Sequence, residues 1–317
     1  MQYLIIILDE SANSFCYYPN PNREAKLINL SLLKKAIFYA QKNGLSINFL
    51  LGKAKLPKEY LKEIDKVSHI FIMSQNHISD DVFDVFVSDL TLDDNLSETH
   101  SNSDSNIILR IDKSQIAELS SKVIALTGKF KRINITIQNI DLFTQKDFDI
   151  YAQELEKLSE VFENKINIIG DEECNVLSDR IVLEKMNNCD AGVKHITLAP
   201  NGKFYICPAF YYEDDNNSVG DLQNGINVKN QQLYHLSYAP ICRVCDAYQC
   251  KRCVWLNRKT TLEVNTPSHE QCVVSHLERN TSKKMLIKIQ KRGLQVQANE
   301  IPDIDYLDPF DKVNRWK

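Results

Sequence analysis

Four cysteines stand within the twelve residues CRVCDAYQCKRC, 242 to 253, spaced C-x2-C, then four residues, then C-x2-C. Two such knuckles bring four sulfurs within reach of one tetrahedral centre, and soft thiolates select zinc or an iron–sulfur cluster. A thiol exchange site would need one exposed pair of depressed pKa, which this crowding does not match. A four-cysteine zinc site ordinarily separates its pairs by about fifteen residues or more, whereas four intervene here. Zinc and iron–sulfur both remain open from the spacing alone. Further thiols flank the run: Cys189, then Gly202 and Cys207 in CDAGVKHITLAPNGKFYICP upstream, and Cys272 downstream.

The elements that must carry these ligands change character along the chain. Of nine cysteines only Cys16 lies in the first half. Before about residue 185, apolar runs of strand length alternate with helix-period segments: YLIIIL at 3 to 8, a helix over 27 to 44, SINFLL at 46 to 51, a short helix near 57 to 65, and HIFIM at 69 to 73. The alternation continues with DVFVSD at 84 to 89, IILRI at 107 to 111, a helix over about 113 to 127, RINITIQ at 132 to 138, a helix over about 144 to 161, and INIIG at 166 to 170. Strand–helix alternation of this kind predicts an α/β fold with a parallel sheet, open or curled into a partial barrel. SETHSNSDSN, 97 to 106, reads as a polar surface loop. The division expected is a β/α domain over 1–184, a small Cys-rich domain over 185–275, and a C-terminal extension over 276–317.

With 43% hydrophobic and 25% charged residues the chain has the balance of a globular protein, and its net charge of -4 gives no basic footprint for nucleic acid. No apolar run is long enough to span a membrane, and the start MQYLIIILDE has neither a basic n-region nor a cleavage site, so a cytoplasmic location is expected. In a reducing compartment, thiols this numerous read as metal ligands or buried groups rather than disulfides. The basic residues Lys283, Lys284, Lys288, Lys291 and Arg292 read as the solvated side of an element.

The ordered cysteines resemble the SPASM domain appended to radical-SAM peptide-modifying enzymes, with Cys189, Gly202, Cys207, Cys242, Cys245, Cys250, Cys253 and Cys272 in the family's order and two of the central gaps one residue shorter. The resemblance implies two [4Fe-4S] clusters, one on Cys189, Cys207 and Cys253, the other on Cys242, Cys245, Cys250 and Cys272. The first would need a fourth ligand or an open iron. His195 and Cys174 are the candidates, although an ordinary strand histidine and a buried free thiol are the plainer readings of each. The aromatic residues Phe204, Tyr205, Phe210, Tyr211, Tyr212 and Trp255 read as apolar screening, and Asn201-Gly202 as a tight hairpin turn delivering Cys207.

The radical-SAM core itself is a partial β/α barrel, in keeping with the alternation, yet its C-x3-C-x2-C motif is missing. Counting from Cys16, the required positions hold Asn20 and Arg23. The chain therefore looks like a degenerate, pseudo-radical-SAM protein similar to the CXXX repeat peptide maturases, for which SAM is not expected as a cofactor. The function so implied is maturation of a ribosomally made precursor peptide, as a modifying enzyme or as the non-catalytic partner of an active radical-SAM enzyme. The alternative is a zinc-stabilised peptide- or protein-binding module. Asp9 and Glu10 end the first strand but point to opposite faces, so no working carboxylate pair is expected.

Overall fold

The computed structural model describes residues 1–20, 24–74, 84–89, 105–165, 173–293 and 298–311. The strand expected at 166 to 170, most of the polar loop at 97 to 106, and Arg23 lie outside the described residues. The protein is α/β, with a mainly parallel sheet. Two compact units interleave along the chain: the described parts of Met1–Leu92, Ser105–Arg110 and Asp190–Tyr238 form the first, and those of Ile111–Cys189 and Ala239–Lys317 the second. Segment 185–275 thus contributes to both units.

In the first unit, strands β1 (Tyr3–Ile7), β2 (Ser46–Leu51), β3 (His69–Ser74), β4 (Val85–Asp89) and β5 (Asn106–Ile111) lie side by side in sequence order, each parallel to the next. This order is compatible with a partial β/α fold. On its other edge β1 pairs in parallel with β8 (His195–Leu198), which turns back antiparallel into β9 (Phe204–Tyr205). Flanked on both sides, β1 is buried almost throughout, which is why YLIII is a continuous apolar run rather than an alternating one.

Helix α1 (Leu30–Lys42) begins at Asn29, whose side chain accepts the Ser31 N–H at 2.9 Å, and gives way to Gly44 at φ +63°. Its buried residues Leu33, Ala36, Ile37 and Ala40 follow helical spacing and join Leu4, Ile6, Phe49 and Leu51 in one apolar cluster. Each large side chain so covered contributes about 1.5–3 kcal/mol relative to exposure. The short α2 (Lys58–Ile64) adds Ile64, and the Tyr60 hydroxyl donates to the Ile28 carbonyl at 2.7 Å.

The second unit contains β6 (Arg132–Ile137) paired in parallel with β7 (Glu173–Cys174), α3 (Leu119–Leu126) after a 3-10 turn over Lys113–Glu118, α4 (Gln145–Lys165) and α5 (Asp179–Val182). Tyr151, Leu155, Leu158 and Phe162 line the buried face of α4, which packs on a 23-residue helix within the expected C-terminal extension and the segment before it. Lys283 and Lys288 of that helix, and Arg292 just after it, meet acids: Lys283 bonds Asp303 at 2.7 Å, and Glu163 receives Lys288 at 3.4 Å and Arg292 at 2.5 Å.

Candidate metal centre

The knuckle run occupies the loops before α7 (Val254–Thr261), and the last cysteine sits in the first turn of the long helix, α8 (His269–Lys291). Folding brings Cys242, Cys245, Cys250 and Cys272 around one cavity of about 250 Å³. Its wall is mostly apolar, with Met186, Ala247, Pro267 and Pro309 among the lining residues. Two of the sulfurs are met by backbone donors: the Ala247 N–H approaches Cys245 Sγ and the Arg252 N–H approaches Cys250 Sγ, each at 3.4 Å. The Ser275 hydroxyl also bonds the Cys250 sulfur.

Burial, and then mutual repulsion, raise these thiols. Burial and Cys250 push Cys242 up to about 12. Burial takes Cys245 to about 11 against the Ala247 N–H, and Cys272 is raised further by burial and by Cys250, Cys242 and Cys245. As thiolates they would be a dense negative charge in an apolar wall, and only a cation or a cationic cluster core could offset it. The buried guanidinium of Arg252 also lines the cavity and lowers Cys242 and Cys250. Arg252 is fixed by an Nε bond to Asn188 Oδ1 at 2.7 Å. Among the described residues no group of three or more His, Cys, Asp or Glu side chains is drawn in tightly enough to hold a single metal ion.

A polar scaffold behind the loop sets its shape. Asp246, between the knuckles, receives Arg279 at 2.6 and 2.9 Å, Arg180 at 2.8 Å and the Tyr306 hydroxyl at 2.5 Å. Burial opposes ionisation of Asp246, but these donors win and hold its carboxyl well below the usual carboxylate range. Tyr306 stands 3.9 Å from Cys245 Sγ and 3.1 Å from His276 Nε2, while His276 Nδ1 meets the Cys272 carbonyl at 2.9 Å. Arg180 lies 4.5 Å over the Tyr248 ring.

Cys189 and Cys253 form a second grouping in the same unit. Cys189 N–H donates to the Lys251 carbonyl at 2.8 Å, laying residues 187 to 189 along 248 to 251. Burial and then Cys189 raise Cys253 to about 12. Cys253 caps α7, its sulfur accepting the Leu256 N–H at 3.5 Å.

Cys207 belongs to the first unit, where it stands at the residue before α6 (Pro208–Glu213). The β8–β9 hairpin that delivers it turns at Asn201-Gly202, with Gly202 at φ +81°. The phenol of Tyr18, buried and stacked on Tyr212 at 5.8 Å, is raised by burial, then by Tyr212, Cys16 and Cys207, so both cysteines stand near it. His195 opens β8 opposite Tyr3 and stacks on that ring at 4.9 Å. Cys174 lies buried in β7, its thiol pushed up to about 12 by burial.

The described part of the loop after β1, where a radical-SAM core would hold its cluster, is held by hydrogen bonds. Asp9 accepts Ser11 N–H at 3.1 Å, Ser11 Oγ at 2.7 Å, Lys26 N–H at 2.9 Å and Ala54 N–H at 2.8 Å. Asn20 donates to the carbonyls of Glu10 and Ala12 at 2.9 and 2.6 Å. Gly52 packs so near that a Cβ there would stand 2.4 Å from Ser11 Oγ. With Cys16 the one thiol of this loop and Asn20 spent on carbonyls, these residues do not fit a three-cysteine cluster site. Glu10, next to Asp9, pairs with Lys26 at 3.0 Å.

Sequence reasoning singled out the cysteines but not Arg252, Asp246, Gln271, His276 or Tyr306. The signals available were the charged residues inside the knuckle run and the S-x-x-Q start of α8. Among the described residues no helix is long and apolar enough to cross a membrane. No family model matches the chain, and no curated protein matches it.

Proposed function

We propose that this chain is an iron–sulfur protein that takes part in maturing a ribosomally made precursor peptide, as the partner of an active radical-SAM enzyme or as a modifying enzyme that does not cleave SAM. The observation that carries the reading is the ring of Cys242, Cys245, Cys250 and Cys272 around one cavity, with N–H donors on two of its sulfurs. A single zinc ion would hold each sulfur at about 2.3 Å. A cluster interposes its own irons and sulfides between the thiolates, and a cavity of about 250 Å³ leaves room for such a core. Once bound, a [4Fe-4S] cluster would supply one-electron transfer, while Arg252 and the N-terminal end of α8 offset its charge.

The cysteine order supports the peptide-maturation class, and the single thiol of the loop after β1, with Asn20 bonded to the Glu10 and Ala12 carbonyls, supports a chain that works without SAM cleavage. The SPASM-like assignment also gives Cys189, Cys207 and Cys253 to a second cluster, with the cytoplasm as the expected setting. The test is anaerobic purification of the full chain with iron, sulfide and zinc counted, followed by pull-down with candidate precursor peptides. Iron and sulfide in equal amounts support the reading. Zinc without sulfide would select the zinc-stabilised binding module instead.

A further inference from the structure

Helix α8 opens with Ser268-His269-Glu270-Gln271, the S-x-x-Q pattern of a capping box. Half of the box forms, since Ser268 Oγ accepts the Gln271 N–H at 3.2 Å. At Asp112 and Gln115 the same device closes fully, the Gln115 amide oxygen accepting the Asp112 N–H at 3.2 Å. Gln271 does not reach back. The residue is 1% exposed, its side chain lines the cysteine cavity beside Cys272, and among the described residues it has no hydrogen-bond partner at either Nε2 or Oε1. Leaving a buried amide unpaired costs about 1–3 kcal/mol. The cost is offset if the cavity holds an acceptor.

We propose that Gln271 donates an N–H hydrogen bond to a sulfur of the group held by Cys242, Cys245, Cys250 and Cys272, and so raises its reduction potential. The inference rests on the iron–sulfur reading of that site. Reduction adds one electron to the cluster from an external donor, and no bond forms or breaks. The reduced core is more negative, so an N–H donor stabilises it more than the oxidised core. The amino end of α8, a helix of 23 residues, acts in the same direction, because its first turn faces the cavity through Ser268, His269 and Cys272. Gln271 is thus a tuning residue, with the thiolates as the ligands.

The test is an anaerobic potentiometric titration of the full chain with dithionite, monitored by electron paramagnetic resonance. Wild type, Gln271→Met and Gln271→Glu are compared, and Cys245→Ala identifies which signal belongs to this cluster. The expected result is wild-type iron content with a lowered midpoint potential in Gln271→Met and a larger lowering in Gln271→Glu, which places a charge where the amide stood. In the metal-free chain, Gln271→Met should melt at or above the wild-type temperature, because it removes an unpaired amide. An unchanged potential with iron retained overturns the proposal, and so does loss of iron from both variants with the fold intact. Absence of iron from the wild type overturns the iron–sulfur reading itself, which separates the two failures.

Discussion

Glu278 offers a stability test worked from burial alone. The carboxyl faces the interior of the second unit from α8, where it accepts the Tyr151 hydroxyl at 2.8 Å and the Gln249 amide at 3.2 Å. Burial raises it, those two donors lower it, Asp179 raises it again, and the result is about 7 against an ordinary 4.5. Because the folded pKa lies above the unfolded one, the folded chain keeps a proton that the unfolded chain has lost. The contribution is therefore fully present below about pH 4.5 and is lost as pH rises through about 7. The shift corresponds to on the order of 3 kcal/mol at alkaline pH. His276 titrates with the opposite sign, since burial lowers it and its stability is lost as pH falls. A difference between wild type and Glu278→Gln cancels that contribution. Urea unfolding at several values from pH 5 to 8, followed through Trp255 with Trp316→Phe as background, should show the variant gaining on the wild type with rising pH. Parallel curves across that range would refute the reasoning from burial.

Four further outcomes follow from the same geometry. Asp246→Ala should destabilise the second unit by about 3–5 kcal/mol, because Arg180 and Arg279 lose their shared counter-charge, and denaturant midpoints measure it. Phe49→Ala in the first-unit core should cost about 3–5 kcal/mol, read in the same way. Gly52→Ala should destabilise by about 1–3 kcal/mol, since its Cβ would meet the Ala12 backbone nitrogen at 2.5 Å, and thermal melting reports the loss. Loading the cysteine cavity should release protons at pH 7, because burial holds Cys242 near 12 and Cys245 near 11 as thiols; proton release against added iron and sulfide in weak buffer checks the sign.

The β/α half was legible because its residues obey simple periods. YLIII, SINFLL and RINITI have strand length and lie where expected, and α1 has apolar residues at helical spacing. The helix expected over 113 to 127 begins instead as a 3-10 segment, Lys113–Glu118, closed by the Asp112–Gln115 box. Helix α8 was not legible. Its buried positions mix Ser275, His276, Glu278, Arg279 and Ser282 with Val273, Val274, Met285, Leu286 and Ile289, so polar groups interrupt the apolar stripe that periodicity detects. Tyr306 was invisible for a related reason: its place beside Cys245 depends on Asp246 and His276, which are remote in sequence. At the centre itself the spacing singled out Cys242, Cys245, Cys250 and Cys253, and the first three share a cavity because short loops between cysteines constrain the chain strongly; the fourth thiol of that cavity is Cys272, which the family resemblance and not the short run supplied. Of the other three thiols in the family order, Cys189 and Cys253 fall in the second unit and Cys207 in the first, a division that spacing along the chain does not reveal.

The most direct test of the iron–sulfur reading counts iron and acid-labile sulfide per chain in anaerobically purified wild type, Cys245→Ala and Cys174→Ala. Cys245 lines the cavity and Cys174 is buried in β7. The expected result is that Cys245→Ala loses about four irons and four sulfides, and Cys174→Ala none. Zinc in place of iron in the wild type, or equal iron in all three proteins, would contradict it.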